Sequence, residues 1–497
     1  MEISPGYLAF ASIYEAGRAQ TLHLRLIADL DTPVSAFLKL AANAVNTFLF
    51  ESVQGGENRG RYSIIGLKPD LIWRCRNGRA EINRNALDAD NFVQDGDEPI
   101  ASLKRIVEQS RIDLPAELPP MAGGLFGYLG YDMVRYIEKL LDPPPDPLNL
   151  PESILLRPTV IAIFDNIRDE IIVVTPVWPD QKTEARQAYD AAVARLHDIA
   201  ARFAGPPVEP PLPVRPNHGF ESIQSNTAHD EYLRIVRRAK EYIVAGDIFQ
   251  VVPSQRFRRE FPLPPFSLYR ALRRLNPSPF LYFLDFPGFA VVGSSPEILV
   301  RLRDGVVTIR PIAGTRPRGK TRDEDHGLAE ELMGDPKERA EHLMLLDLGR
   351  NDVGRVARTG TVKVTDQFFI ERYSHVMHLV SNVEGIIRPE LDAVDALIAG
   401  FPAGTLSGAP KIRAMEIIDE LEREKRGIYA GAVGYFAANG SMDTCIVLRT
   451  AVVKDGMMYV QAGGGVVADS DPESEFQETV NKARALMAAA DEALKQL

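Results

Sequence analysis

QAGGGVVADSDPESEFQETVNKA, residues 461–483, sets the reading of the chain. An apolar run ends in Gly463, Gly464 and Gly465, and the acidic segment that follows predicts a helix carrying Glu475, Glu478 and Lys482. Residues three and four apart share a helix face. Both carboxylates and the ammonium therefore point the same way, beside backbone N–H groups that glycines leave open to a ligand. Such a cluster suits a small, highly charged ligand and a hard cation. Taken alone, an exposed Glu478–Lys482 pair after an ordinary turn is the commoner meaning.

Upstream of this stretch, strand-like runs recur at FLYFLDF, FAVVGSS, EILVRLR, VVTIRPI, YAGAVGYFA and TCIVLRTAVV, often with Gly or Asp between neighbours. Helical spacing predicts helices over 229–245, 328–348, 391–399 and 411–424. That alternation describes an α+β fold with a large, mainly antiparallel sheet and helices outside. In the first half, VNTFLFESV and DLIWRCR read as strands, and TVIAIFD with EIIVVTPVW as a hairpin through Asn166–Asp169. GGLFGYLG (123–130) lacks both the GK[ST] ending and the GxGxxG spacing of a nucleotide loop, which leaves close backbone packing as its role. An alanine-rich helix is expected over 182–203, and GPPVEPPLPVRP (205–216) reads as an extended spacer. The expected organisation is an N-terminal α+β region at 1–204, a Pro-rich linker at 205–219 and a second region at 220–497.

The chain has 497 residues, enough for a sizeable core, with 45% hydrophobic and 25% charged residues. Its formal net charge is −11, and the densest basic patch, Arg256–Arg274, is interleaved with Pro and Phe and reads as a solvated, partly packed segment. Nucleic-acid binding needs clustered Lys and Arg and is not expected. Cys75 and Cys445 are too few for a disulfide framework and have no CxxC or His neighbour for zinc. No signal peptide and no membrane span is expected, and a cytoplasmic location fits.

Three further segments carry charge in useful patterns. KERAEHLMLLDLGRND (337–352) places Glu338 and Glu341 on one helix face with His342 beside them, a candidate half of a metal site with Glu475 and Glu478 as the other half; from spacing alone, two solvated acidic faces are the commoner meaning. PIAGTRPRGK (311–320) and GTLSGAP before Lys411 are candidate anion cradles. His375 and His378 lie in the apolar YSHVMHLVS, where a histidine is more often a satisfied core residue.

PIAGTRPRG, EHLMLLDLGRND, HVMHLVS, FPAGTLSGAPK, YAGAVGYF, CIVLRT and QAGGGVV, in this order, resemble the chorismate-utilising enzymes, in their anthranilate synthase component I branch. LFESVQGGENRGRYSIIG and GGLFGYLGYD extend the resemblance into the first half. It implies the chorismate-binding fold, with large antiparallel sheets packed face to face. It also implies a Mg2+ ion on Glu341 and Glu478, with Glu338 and Glu475 acting through water. Gly314, Thr315, Tyr429, Arg449, Gly463, Gly464, Gly465 and Lys482 occupy positions similar to the family's chorismate contacts. Glu297, in GSSPEIL, matches the general acid toward the departing hydroxyl, His378 the residue of pyruvate loss, and Thr405 lines the same site.

Two positions separate the branches. Aminodeoxychorismate synthases often carry a lysine nucleophile where this chain has Ala313, and isochorismate synthases use a water-activating lysine where it has Gln250. Lacking both, the chain resembles the branch in which ammonia attacks directly. Aminodeoxychorismate synthase and a non-catalytic tryptophan sensor on the same fold are the alternatives. Neither cysteine sits in a glutaminase-like context, which implies ammonia from a separate glutamine amidotransferase subunit and a hetero-oligomer. The family's tryptophan feedback site maps onto Ser52 in LFES and onto Pro279, Phe280 and Leu281 in NPSPFLYF, where Tyr-Met is more usual after the second proline.

Overall fold

Two strands, Asn58–Arg76 and Ser153–Asp165, are long enough to serve two sheets at once. They pair antiparallel from Tyr62↔Asp165 to Cys75↔Ser153, with a break in register between Pro69 and Leu71. At the 62–67 end the pair belongs to a first sheet, flanked by Thr47–Gln54 on one side and by Glu170–Val177 and Gln20–Ile27 on the other. From Thr47–Gln54 the ladder continues through Phe280–Phe286, Phe289–Ser295, Thr450–Lys454, Met457–Gly463 and Ser254–Glu260. At the 72–76 end the pair belongs to a second sheet, flanked by Arg79–Asn83 and Gly124–Leu129. That sheet runs on through Ala432–Ala437, Met442–Ile446, Ile298–Arg303, Val306–Ile309 and Val376–Ile386. Val376–Ile386 also carries Ile312–Pro317 and Lys363–Arg372. These ladders are all antiparallel, as the sequence predicts.

The computed structural model describes residues 2–41, 44–54, 58–85, 91–140, 143–180, 182–213, 222–373 and 376–495. His375 and residues 214–219 of the expected linker lie outside them. Strands from either side of that linker pair with each other, Thr47–Gln54 with Phe280–Phe286 and Gly124–Leu129 with Ala432–Ala437.

The sheets face each other across Phe48, Tyr128, Ile161, Tyr282, Val433 and Cys445. The outer face of the first sheet is covered by the helices Pro33–Leu40, Ala185–Phe203, Pro265–Leu275 and Pro472–Leu494, through residues such as Phe37, Leu196, Leu272 and Leu486. The second is covered by Pro99–Gln109, Pro336–Gly354 and Ala393–Gly400 through Ile106, Leu346 and Leu397. Each large side chain sealed in these layers contributes about 1.5–3 kcal/mol.

Local chemistry explains the two helices that matter most. Asp471 caps Pro472–Leu494 by accepting from the Ser474 N–H, and Thr479, Ala483, Leu486 and Ala490 form its buried stripe. The helix expected over 328–348 is instead two, Arg322–Gly334 and Pro336–Gly354. Pro336 lacks the N–H that would continue the first, and the Asp335 carboxylate accepts from the Lys337 and Glu338 N–H groups to start the second. The hairpin between Asp165 and Glu170 forms as read. In Gly124–Leu129 a Cβ at Gly127 would lie 2.0 Å from the Ile154 carbonyl oxygen, so these glycines do serve close backbone packing. The Arg256–Arg274 patch is less solvated than its composition suggests. Arg256 and Arg259 are buried and paired with Glu424 and Asp491, and Arg273 is held by Glu51.

Candidate active site

The chain crosses between the two sheets at 296–297 and again, far along the sequence but beside the first in space, at 447–449, and each crossing delivers a charged side chain to the same place. Pro296 and Glu297 join Phe289–Ser295 of the first sheet to Ile298–Arg303 of the second. Residues 447–449 join Met442–Ile446 back to Thr450–Lys454. The crossings are tied together by Ile446 N–H to Glu297 O at 3.0 Å and Ser294 N–H to Arg449 O at 3.1 Å. Arg449 sits at φ 49°, in the left-handed region that bulky residues avoid. Such strain persists where surrounding structure over-determines it, commonly at a ligand site.

Glu297 is buried, and that burial pushes its carboxyl up to about 8; a hydrogen bond from Thr405 and the charges of Arg449 and Lys482 oppose the shift. Thr405 Oγ1 donates to Glu297 Oε1 at 3.2 Å. Near neutral pH the carboxyl holds a proton it can donate. His378 Nδ1 lies 2.9 Å from the Gly314 carbonyl oxygen and 3.1 Å from Thr315 Oγ1. A carbonyl only accepts, so Nδ1 carries the hydrogen and Nε2 keeps its lone pair. Burial lowers the imidazole to about 4, against the Gly314 bond and with help from the Arg449 charge. Gly314 has φ +66°, and a Cβ there would lie 2.9 Å from Glu338 Oε2. That glycine therefore connects His378 to the acidic helix.

The glycines of the opening stretch are packed rather than loose. A Cβ at Gly463 would lie 3.0 Å from the Tyr429 hydroxyl, one at Gly464 2.7 Å from Glu475 Oε2, and one at Gly465 2.6 Å from Gln250 Nε2. Burial pushes the Tyr429 phenol up to about 12, so it is a neutral donor. Lys482 Nζ donates to the Gly463 carbonyl at 2.9 Å and pairs with Glu478 at 2.7 Å.

Glu338 and Glu341 lie on the helix Pro336–Gly354 and Glu475 and Glu478 on Pro472–Leu494, and the two helices are within electrostatic reach of each other through Glu341 and Glu478. Burial, then the charges of Glu338 and Glu478, push the Glu341 carboxyl above its usual range. Burial and Glu478 do the same to Glu475, against a hydrogen bond from Ser470. Among the described residues, no three His, Cys, Asp or Glu side chains already stand at metal-ligand spacing. The donor set nonetheless fits a hard cation. All four groups are carboxylates, Glu475 Oε2 is a buried acceptor without a partner, and magnesium needs only one or two protein carboxylates. His342 is not part of this set. It is fully buried, with Nε2 2.7 Å from Ser381 Oγ and burial lowering it to about 4.

Some expected groups are otherwise engaged. Lys411 pairs with buried Asp352 at 2.9 Å, so it does not serve an anion at its helix N-terminus. In PIAGTRPRGK, Arg316 is held by Glu331, Asp335 and Glu338, and Arg318 by Asp325. The sequence reading missed Arg426 and Glu422, paired at 2.6 Å and both buried. Arg426 also donates to the Leu406 and Val252 carbonyls, and Glu422 accepts from Ser254, which fixes three segments around Gly463 and Thr405. Their i,i+4 spacing was the available signal.

Ser52, Pro279, Phe280 and Leu281 meet elsewhere, in the lining of a cavity of about 650 Å³. It is lined also by Tyr435, Cys445, Arg310, Glu371 and Tyr373, and it reaches the reverse side of the Glu297 crossing at Pro296 and Ile298.

Comparison with known proteins agrees with this architecture. A sequence model of the chorismate binding enzyme family matches residues 48–488. Anthranilate synthase component 1 of Cereibacter sphaeroides is 58% identical over 98% of this chain and 97% of its own length. The protein of the same name from Pseudomonas aeruginosa is 50% identical over 94% of each chain. The crystal structure of anthranilate synthase component I from Streptococcus pneumoniae superposes with a TM-score of 0.76 at 37% identity, over 93% of this chain and 99% of that one. The menaquinone-specific isochorismate synthase of Escherichia coli shares the fold at 20% identity and a TM-score of 0.68, over 98% of this chain and 100% of its own. The chain belongs to the chorismate binding enzyme family, among the anthranilate synthase component 1 proteins.

Proposed function

We propose that the chain is the synthase component that converts chorismate and ammonia into anthranilate, pyruvate and water, in tryptophan biosynthesis. The observation that carries the reading is Glu297, a buried carboxyl whose proton is retained up to about pH 8, beside Thr405 and within electrostatic reach of Arg449. Ammonia adds at ring C2 while the C4–O bond breaks, and Glu297 gives its proton to the departing oxygen, which leaves as water. Pyruvate is then lost. The Nε2 lone pair of His378 takes the C2 proton, the C2–H electrons complete the aromatic ring, and the C3–O electrons leave on the oxygen as enolpyruvate, which takes up a proton and becomes pyruvate.

Arg449 binds a chorismate carboxylate through two parallel hydrogen bonds. Tyr429, Gly314, Thr315, Lys482 and the backbone of Gly463, Gly464 and Gly465 surround the rest of the ligand. Glu341 and Glu478 would hold magnesium directly, and Glu338 and Glu475 through water. Bound there, the ion would supply Lewis acidity toward the ring carboxylate. Ala313, on the strand beside His378, offers no nucleophile for a covalent alternative, and Gln250 no base for water.

Both cysteines are buried, with thiols pushed well above the usual range by that burial, so neither is a thiolate that would hydrolyse glutamine. Ammonia therefore comes from a separate glutamine amidotransferase subunit of a hetero-oligomer. The cavity at Ser52, Pro279, Phe280 and Leu281 takes tryptophan as feedback inhibitor. No helix among the described residues is long and apolar enough to cross a membrane, and buried free thiols suit the cytoplasm.

The test is to incubate the purified chain with chorismate, magnesium and ammonium salt at mildly alkaline pH and identify the product. Anthranilate with equimolar pyruvate is expected; aminodeoxychorismate, isochorismate or no turnover each overturns the assignment.

A further inference from the structure

Tyr373 belongs to two sites. Its buried ring meets the His378 imidazole edge-on, with centroids 5.4 Å apart, and the same residue lines the 650 Å³ cavity. Its hydroxyl donates to Glu371 Oε2 at 3.1 Å, and Arg310 Nη2 donates to the same oxygen at 3.1 Å. Glu371 and Arg310 line the cavity too, and Glu371 stands directly opposite His378 in the antiparallel ladder. The main chain of Tyr373 is fixed, its N–H donating to the Val376 carbonyl at 2.8 Å and its carbonyl accepting from Arg318 at 2.7 Å. Burial keeps the ring against the imidazole, and the Glu371 bond is its polar tie to the cavity side.

We propose that Tyr373 positions His378, and that through Glu371 and Arg310 it transmits occupancy of the cavity to the imidazole. The proposal rests on the reading above of His378 in pyruvate loss and of tryptophan as the cavity's ligand. An amino-acid carboxylate entering the cavity competes with Glu371 for the Arg310 guanidinium, a fork that matches any carboxylate. Glu371, released from Arg310, shifts, and the Tyr373 hydroxyl follows its acceptor and draws the ring with it. The ring then no longer backs the imidazole in the orientation that aims Nε2 at the ring C2 proton. This gives two ligands that bias one hydrogen-bonded element, the requirement for coupling between separate sites.

Two variants of the full chain, assayed with ammonium as nitrogen source, test the two halves. In Tyr373→Phe the ring stays and the hydroxyl goes. The half-inhibiting concentration of L-tryptophan should rise about tenfold or more, while its calorimetric Kd stays within about twofold, so that coupling is lost and binding is not. Inhibition that still follows Kd overturns the transmission. In Tyr373→Leu the imidazole loses its neighbour. Its kcat should fall about tenfold or more with KM little changed, and the aminated ring that still carries its enolpyruvyl group should accumulate, as detected by mass. Elimination rescued by Tyr373→Phe but not by Leu separates positioning from general damage; unchanged kcat, or a fall with no accumulated intermediate, overturns it. If the unaltered chain neither binds L-tryptophan nor is inhibited by it, the feedback reading fails, and the Leu measurement, which uses no tryptophan, still decides the positioning role.

Discussion

Glu297 and the four glutamates of the two helices are the same chemical group in opposite circumstances. Glu297 lies at the floor of the site, where burial raises it and every charge within reach is positive. Glu338, Glu341, Glu475 and Glu478 lie at the mouth, where burial raises Glu341 and Glu475, Glu338 and Glu478 add to the first and Glu478 to the second, and Lys337 and Lys482 offset part of that repulsion. The floor is finished without a ligand: proton, hydroxyl partner and guanidinium are all in place. At the mouth Lys482 pairs with Glu478 and Arg316 with Glu338, and the raised carboxyls of Glu341 and Glu475 are groups that a hard cation would favour in their ionised form. Floor residues should therefore govern rate and its pH dependence, and mouth residues should govern response to metal.

The largest effect breaks the floor. Glu297→Gln keeps shape and burial but cannot give up a proton, and kcat should fall by about 10²–10⁴-fold with chorismate binding retained. In the unaltered chain, activity should decline as pH rises through about 8, where Glu297 loses its proton. Stability has the same sign at this group. Its folded value is raised from 4.5, so its contribution is complete below 4.5 and lost as pH rises through about 8. His378 runs the other way, contributing fully above 6.5 and losing that contribution as pH falls toward about 4. A pH-rate profile and melting curves from pH 4 to 9 check both, and a Glu297→Gln profile that keeps the alkaline limb would assign the limb elsewhere.

At the mouth the distinguishing readout is thermal. Magnesium at a hundred times its Kd should stabilise the unaltered protein by about 2.7 kcal/mol. In Glu341→Ala or Glu478→Ala that shift should vanish together with magnesium-dependent turnover, and the metal-free melting temperature should be equal or slightly higher, since repulsion is relieved. A variant that still melts later in magnesium removes its residue from the ion's ligands.

The contrast also separates what the sequence shows from what it hides. Helix spacing is local, so Glu338 with Glu341 and Glu475 with Glu478 are legible as facing pairs before any fold is known. The antiparallel α+β character is legible for the same reason, from alternation and turn residues. The sharing of Asn58–Arg76 and Ser153–Asp165 between sheets is not, because a strand's length says nothing of its partners. Lys411 reads as free until Asp352 is seen beside it, and Arg256 reads as solvated until Gln461 and Glu424 close over it. Tyr373 has no local pattern at all; its meaning lies in touching His378 on one side and a cavity on the other.

Arg449 sharpens the floor side of the comparison. Arg449→Lys keeps the charge near Glu297 but replaces a planar fork by a point charge, at a backbone conformation that neither residue favours. Apparent chorismate binding should weaken by about 1.5–3 kcal/mol, while the alkaline limb of the rate profile stays in place. An unchanged apparent affinity would detach Arg449 from substrate binding and leave it only its electrostatic effect on Glu297.

Thr405 should give the smallest change and the most exact account of the Glu297 proton. Its hydroxyl donates to Glu297 Oε1 at 3.2 Å, a bond that favours the ionised carboxylate and therefore works against burial. Thr405→Val preserves the side-chain outline and removes that donor. The carboxyl should then hold its proton to higher pH, moving the alkaline limb up by about one unit, since a unit corresponds to about 1.4 kcal/mol and a bond to a charged acceptor contributes about 1.5–3 kcal/mol. A limb displaced to lower pH would mean the reverse polarity, with protonated Glu297 donating to the Thr405 oxygen and stabilised by it. The direction of one small shift thus reports which of the two oxygens carries the shared hydrogen in the working enzyme.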